Sequence, residues 1–167
     1  MPDQNTTLSL RFEPETFDIL KTEASRRNRE TGDYCMALIE SALVASGAYA
    51  KNSAEPGRIA AREMLLNRVV EIAMQIERED NQVREDITVE AVKRAEGESE
   101  WISAYARFVA PADPLAKGVP IKRRINPRFG SRVKSALGAE TIKADGGRNA
   151  IAIATDSVIQ SATKLRK

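Results

Sequence analysis

Apolar positions in this chain follow two rhythms. In residues 7–14 (TLSLRFEP), Leu8, Leu10 and Phe12 alternate with Thr7, Ser9 and Arg11. A period of two places one trio on each face of a strand. Pro14 suits the first turn of a helix, where its missing N–H has no partner to lose. Phe17, Leu20 and Ala24 then recur at helical spacing as far as about Arg27. Residues 28–32 (NRETG) read as a turn, and Asp33 as the cap of a second helix from about Tyr34 to Ser46. Ala37, Leu38, Ala42 and Ala45 form its inward stripe, and Gly47 ends it.

The same order recurs near the C-terminus. In residues 120–127 (PIKRRINP), Ile121 and Ile125 alternate with Lys122 and Arg124. Pro127 then opens a predicted helix carrying Phe129, Val133, Ala136 and Leu137, which Gly138 closes. The stretch 139–148 contains Asp145 followed by two glycines, a turn signal. Asn149 caps a predicted last helix with Ile151, Ile153, Ala154, Val158 and Ala162. Strand, proline, helix, turn and helix are thus written twice.

Between the copies, residues 51–57 form a linker, and a helix from Arg58 to about Glu79 carries Ile59, Leu66, Val69, Val70, Ala73 and Ile76 on one stripe. Thr88 caps a short helix to Ala95. Ser99 caps another, which bears Trp101, Tyr105 and Phe108 and stops before Pro111. Two readings of that aromatic cluster stand: packing within the fold, or a contact surface for another chain.

Charge changes the picture more than composition does. Residues 117–167 hold 12 basic and 3 acidic side chains, net +9, whereas residues 1–49 are net −3 (5 and 8) and residues 50–116 net −4 (9 and 13). A basic third with apolar periodicity is the footprint of a polyanion binder. Histidine is absent and Cys35 is the single cysteine. Cys/His zinc sites and histidine acid–base chemistry are therefore excluded, and a reducing, cytoplasmic setting is expected. No catalytic constellation, metal site or cofactor motif is predicted. Asp145-Gly-Gly lacks the Gly-Lys-Ser/Thr ending of a phosphate loop. The N-terminal ten residues have neither the basic start nor the apolar run of a leader, and no stretch reaches membrane-spanning length.

On these residues both copies resemble the ribbon-helix-helix superfamily of Arc, MetJ and CopG repressors, the first over 6–47 and the second over 119–165, with 48–118 as a helical insert. The resemblance implies a mostly α fold with a two-stranded antiparallel β-ribbon, pseudo-symmetric within one chain, whose ribbon enters the major groove of double-stranded DNA. Base contacts would come from Thr7, Ser9 and Arg11, and from Lys122 and Arg124. Phosphate contacts would come from the starts of the second helices, at Asp33 and Tyr34 and at Arg148, Asn149 and Ala150. Arg123 falls where the first copy has the core residue Leu10. The expected function is sequence-specific DNA binding as a plasmid or DNA-transfer accessory of the relaxosome type, beside a relaxase or another DNA-processing protein. The expected state is a monomer with internal pairing or a higher assembly on DNA. A transcriptional repressor or antitoxin-type autoregulator is the alternative, and an adaptor with one degenerate copy a third reading.

Overall fold

A computed structural model describes residues 9–167. The chain is mostly helical. It runs α1 (Pro14–Arg26), α2 (Thr31–Ala45), α3 (Glu55–Asp80), α4 (Ile87–Glu96), α5 (Ser99–Val109) and α6 (Lys122–Leu137). Four short strands follow: β1 (Glu140–Thr141), β2 (Ala152–Ala154), β3 (Ser161–Thr163) and β4 (Leu165–Arg166). Among the described residues, β1 pairs with β4 and β2 with β3, both antiparallel.

The long helix α3 is the axis of the core. Leu65, Leu66, Val69, Ile72, Ala73 and Ile76 are buried along it, against α4, α5 and α6. The aromatic cluster belongs to this core. Trp101 stacks on Tyr105 with ring centroids 5.5 Å apart, lies 5.9 Å from Phe129, and donates its indole N–H to the Leu65 carbonyl at 3.2 Å. Buried aromatics of this kind need a partner for their polar end. The Tyr105 hydroxyl finds one in Asn126 Oδ1 at 2.8 Å, and the Asn126 amide donates onward to the Val158 carbonyl at 3.2 Å. This chain ties α5, α6 and the C-terminal segment together. Burial pushes the Tyr105 phenol well above its ordinary range.

The helix boundaries follow the sequence reading closely through α5, with the caps shifted. Glu30, not Asp33, stands at the N-cap of α2, and Asp33 lies inside its first turn. Asp86, not Thr88, precedes α4, and Thr88 is buried within it with its hydroxyl unpartnered. Glu98 precedes α5.

The second copy is corrected outright. Residues 120–125 form no strand: they wind through turns into α6, whose interior contains Pro127. Ile121 and Ile125 alternate with cations, but they also stand four apart. Phe129, Val133 and Leu137 continue that interval, and four of these five residues are buried, with Ile121 packed at the edge of the core. A spacing of four satisfies a strand of period two and a helix alike, and here helical burial wins. The amides of Lys122, Arg123 and Arg124 donate to the carbonyls of Val119, Pro120 and Ile121, bonds of the tighter, three-residue type that start the helix before Pro127.

The predicted last helix from Asn149 is likewise replaced. Ile151 donates to Ile142, Lys164 donates to Ile151 and Ile142 donates to Lys164, all backbone bonds of 2.9–3.0 Å that close a small β-structure. Val158 and Ile159 sit in the loop between β2 and β3 and enter the core. Glu96 of α4 fixes that loop by accepting from the Ser157 hydroxyl and the Val158 amide. Asp156, expected on a helix, pairs with Lys93 at 2.8 Å. With neither the strand nor the last helix present, residues 9–12 and 120–125 form no ribbon among the described residues, where the expected pseudo-symmetric arrangement is not seen.

Candidate nucleic-acid interface

Two regions hold the residues the sequence singles out. At the N-terminus, Thr7 lies outside the described residues. Ser9 and Arg11 are exposed in residues 9–13, which form no strand among the described residues. Leu10 and Phe12, on the other face, are also exposed. The helix pair beyond them keeps its apolar side open. Phe17, Ile19, Met36, Leu38, Ile39, Leu43 and Val44 are all exposed, Ile19 by 57%, while only Ala24 and Tyr34 are buried in α1 and α2.

The start of α2 faces the rest of the molecule. Asp33 lies 3.7 Å from Arg128 and 3.7 Å from Arg132, both on α6. Tyr34 is buried beneath the Arg27 guanidinium, 5.2 Å from its ring centroid. Around them Arg29 and Arg132 share Glu63 of α3, Arg62 pairs with Glu40, and Lys134 reaches Glu30 at 3.4 Å. Arg132 is only 4% exposed. Burial and the nearby Arg29 hold its pKa below the ordinary guanidinium value, against the pull of Glu63 and Asp33. This ionic seam spends the charge of Asp33 on arginine.

The second region is the basic end of the chain. Lys122, read as a base contact, is 4% exposed, and its ammonium donates to the Ala116 carbonyl at 2.8 Å. Burial holds its pKa below the ordinary lysine value, with Asp113 and Glu96 opposing. Its contact role is therefore corrected: the amine is committed inside the fold. Arg124 is exposed in the first turn of α6. Arg148, Asn149 and Ala150 are exposed in a projecting turn, not at a helix start. Ala144 donates to the Asn149 carbonyl at 2.7 Å, and Lys143 bridges to Ala150. Gly146 and Gly147 take the positive φ values, 84° and 67°, that this turn needs.

Between α6 and the strands lies an open groove of about 590 Å³. Arg123, Pro127, Ser131 and Lys134 line it from α6, with Ser161 and Thr163 opposite. The sequence reading missed Arg123 and Lys143 as surface cations. The four-residue interval from Ile121 to Leu137 would have found the first, because it places Arg123 and Lys134 together on the face away from the core. Among the described residues no cluster of His, Cys, Asp or Glu could hold a metal ion, and no helix is long and apolar enough to cross a membrane. Compared with protein-family models, curated proteins and solved structures, the chain matches none.

Proposed function

We propose that this protein binds double-stranded DNA in a sequence-dependent way, through a ribbon made by residues 7–12 of two chains. The observation that carries the reading is the unfinished N-terminal unit. An alternating segment, a proline-opened helix and a second helix follow in ribbon-helix-helix order, and their apolar side chains stay exposed. Apolar surface on this scale marks an interaction site, and a lone strand leaves its backbone groups unpaired. The complementary segment of the same chain is helical. A second copy supplies both missing parts: a strand for the ribbon and an apolar face for α1 and α2. Ser9 and Arg11, with Thr7, then share the face opposite Leu10 and Phe12 and reach base edges. The large body behind this unit offers surface for a further partner. This suits an accessory role beside a DNA-processing protein such as a relaxase.

The test has two parts. Light scattering at micromolar protein should give twice 18.4 kDa. Selection from a random duplex pool should return a consensus with two related half-sites, one for each chain. Replacing Arg11 with alanine should then cost about 1–3 kcal/mol of discrimination between that consensus and random DNA. A monomer that enriches no sequence would refute the proposal.

A further inference from the structure

The N-terminal unit is a poor phosphate binder by charge, since residues 1–49 are net −3 and the start of α2 is occupied by Arg128 and Arg132 of α6. The surplus of positive charge lies elsewhere, and the fold leaves part of it uncompensated. Across the body, most arginines are matched with carboxylates, Arg58 with Glu55, Arg68 with Glu71 and Glu98, Arg84 with Asp80 and Asp86, Arg94 with Glu79 and Glu90, while Arg78 donates to the Met74 carbonyl. At the basic end Arg128, Lys134, Lys164 and Arg166 also have acidic neighbours. Arg123 on α6 and Lys143 and Arg148 on the projecting turn are exposed and form no ion pair among the described residues. All three border the same structure, α6 with the hairpin that follows it.

We infer that α6 and this hairpin form a second duplex-DNA surface that grips the sugar–phosphate backbone without reading sequence. Arg123, and Lys134 which shares its charge with Glu30 at 3.4 Å, stand at the two ends of one stripe of α6, eleven residues apart, or about 16 Å at the helical rise. One strand of B-DNA carries a phosphate about every 3.4 Å of its axis, so the stripe spans a run of four or five. Between the cations Ser131, Ser161 and Thr163 offer hydroxyl donors, in a lining that is otherwise mainly apolar, with Pro127 and Leu165 among it. Lys143 and Arg148 extend the positive surface along the projecting turn.

The occupant is a duplex and not a single strand, because no aromatic side chain lines the groove to stack a base. A membrane surface fits less well. The turn holds Ala144, Asp145, Gly146 and Gly147, with none of the large apolar anchors that seat a protein in lipid. This site is separate from the N-terminal ribbon. It holds DNA of any sequence whether or not residues 7–12 touch a base.

Fluorescence anisotropy of the full chain on a random-sequence duplex, across a salt series, tests the inference. The variant carrying Arg123→Glu, Lys143→Glu and Arg148→Glu should bind at least about tenfold more weakly, with a log–log salt slope flatter by about 3. Its near-ultraviolet dichroism should be unchanged, since all three side chains point into solvent. The mild variant Arg148→Gln, at the tip of a turn, should flatten the slope by about 1 and guards against a folding artefact. Arg11→Ala should leave random-duplex affinity as it was, so loss of the ribbon reading and loss of this one are distinguishable. Wild-type protein that ignores random duplex, variants that bind it unchanged, or tighter binding to a single strand of equal length would each overturn the inference.

Discussion

Residues 14–45 and residues 55–165 handle their apolar side chains in opposite ways. In the second region α3 alone buries seven residues, and α4 six of its ten. In the first, two helices bury one residue each, although α2 is the more apolar in composition. The body closes on itself around Trp101, Tyr105 and Phe129. The N-terminal pair rests against that body largely through charge, by way of Arg29, Glu63, Arg62, Glu40, Asp33 and Arg132. A cleft of about 380 Å³ lies where α2 and α3 diverge, lined by apolar Leu38, Val44 and Ile59 among others. The body thus carries an amphipathic helix pair whose apolar side chains stay exposed among the described residues.

The contrast can be broken from either side. Phe129→Ala removes a fully buried ring from the body and should cost about 3–5 kcal/mol in denaturant unfolding. Arg132→Met tests the seam. It removes the buried cation from Asp33 and Glu63 and should cost about 2 kcal/mol, less than a fully buried pair because Asp33 keeps Arg128, Glu63 keeps Arg29 and both carboxylates keep some solvent. Hydrogen exchange should then quicken first in α1 and α2, and uniform quickening in α3 would mean the seam serves the core instead. Ile39→Ser should change the unfolding of the body by less than about 0.5 kcal/mol, yet reduce the mass seen by light scattering to that of one chain.

Acid should have the smallest effect. Arg68 lowers the pKa of Glu98, Arg94 that of Glu79 and Lys93 that of Asp156. Groups lowered in this way contribute stability above the ordinary carboxylate range. That stability is lost as pH falls through their lower folded values, so the melting temperature should decline there. All three are well exposed, which keeps the effect modest.

Helices α1 to α5 were legible because each has a bounded apolar stripe and punctuation at its ends, such as Pro14, Gly47 and Pro111. The caps were less so: Asp33 and Thr88 are good capping residues, but Asp33 is drawn to Arg132 and Thr88 is buried. The C-terminal third misled because its apolar intervals admit two readings. Ile121 and Ile125 fit a strand until Phe129 and Val133 are seen to bury beside Ile125. Ile151 and Ile153 fit a helix in spacing with Ala154 and Val158, whereas the segment pairs in a hairpin with Ile151 exposed and Ile153 partly covered. Of the predicted contacts, Ser9, Arg11, Arg124, Arg148, Asn149 and Ala150 are exposed, while Lys122 and Tyr34 are not. Exposure of a cation depends on what folds over it, and Lys122 is covered by the turn that holds Ala116.

By itself the order of residues determined the helical character of most of the chain, the proline-opened helix pair of its first quarter, and the concentration of positive charge in its last third. Local chemistry is enough for these, since proline, glycine, charge and short-range apolar spacing act within a few residues. Only tertiary structure decided that residues 121–137 are one helix, that the last segment is a hairpin, and that Asp33 faces arginine. Those outcomes depend on which apolar face finds α3, and the contact of α3 with α6 brings together residues as far apart as Glu63 and Arg132, 69 positions, so no local pattern could report them.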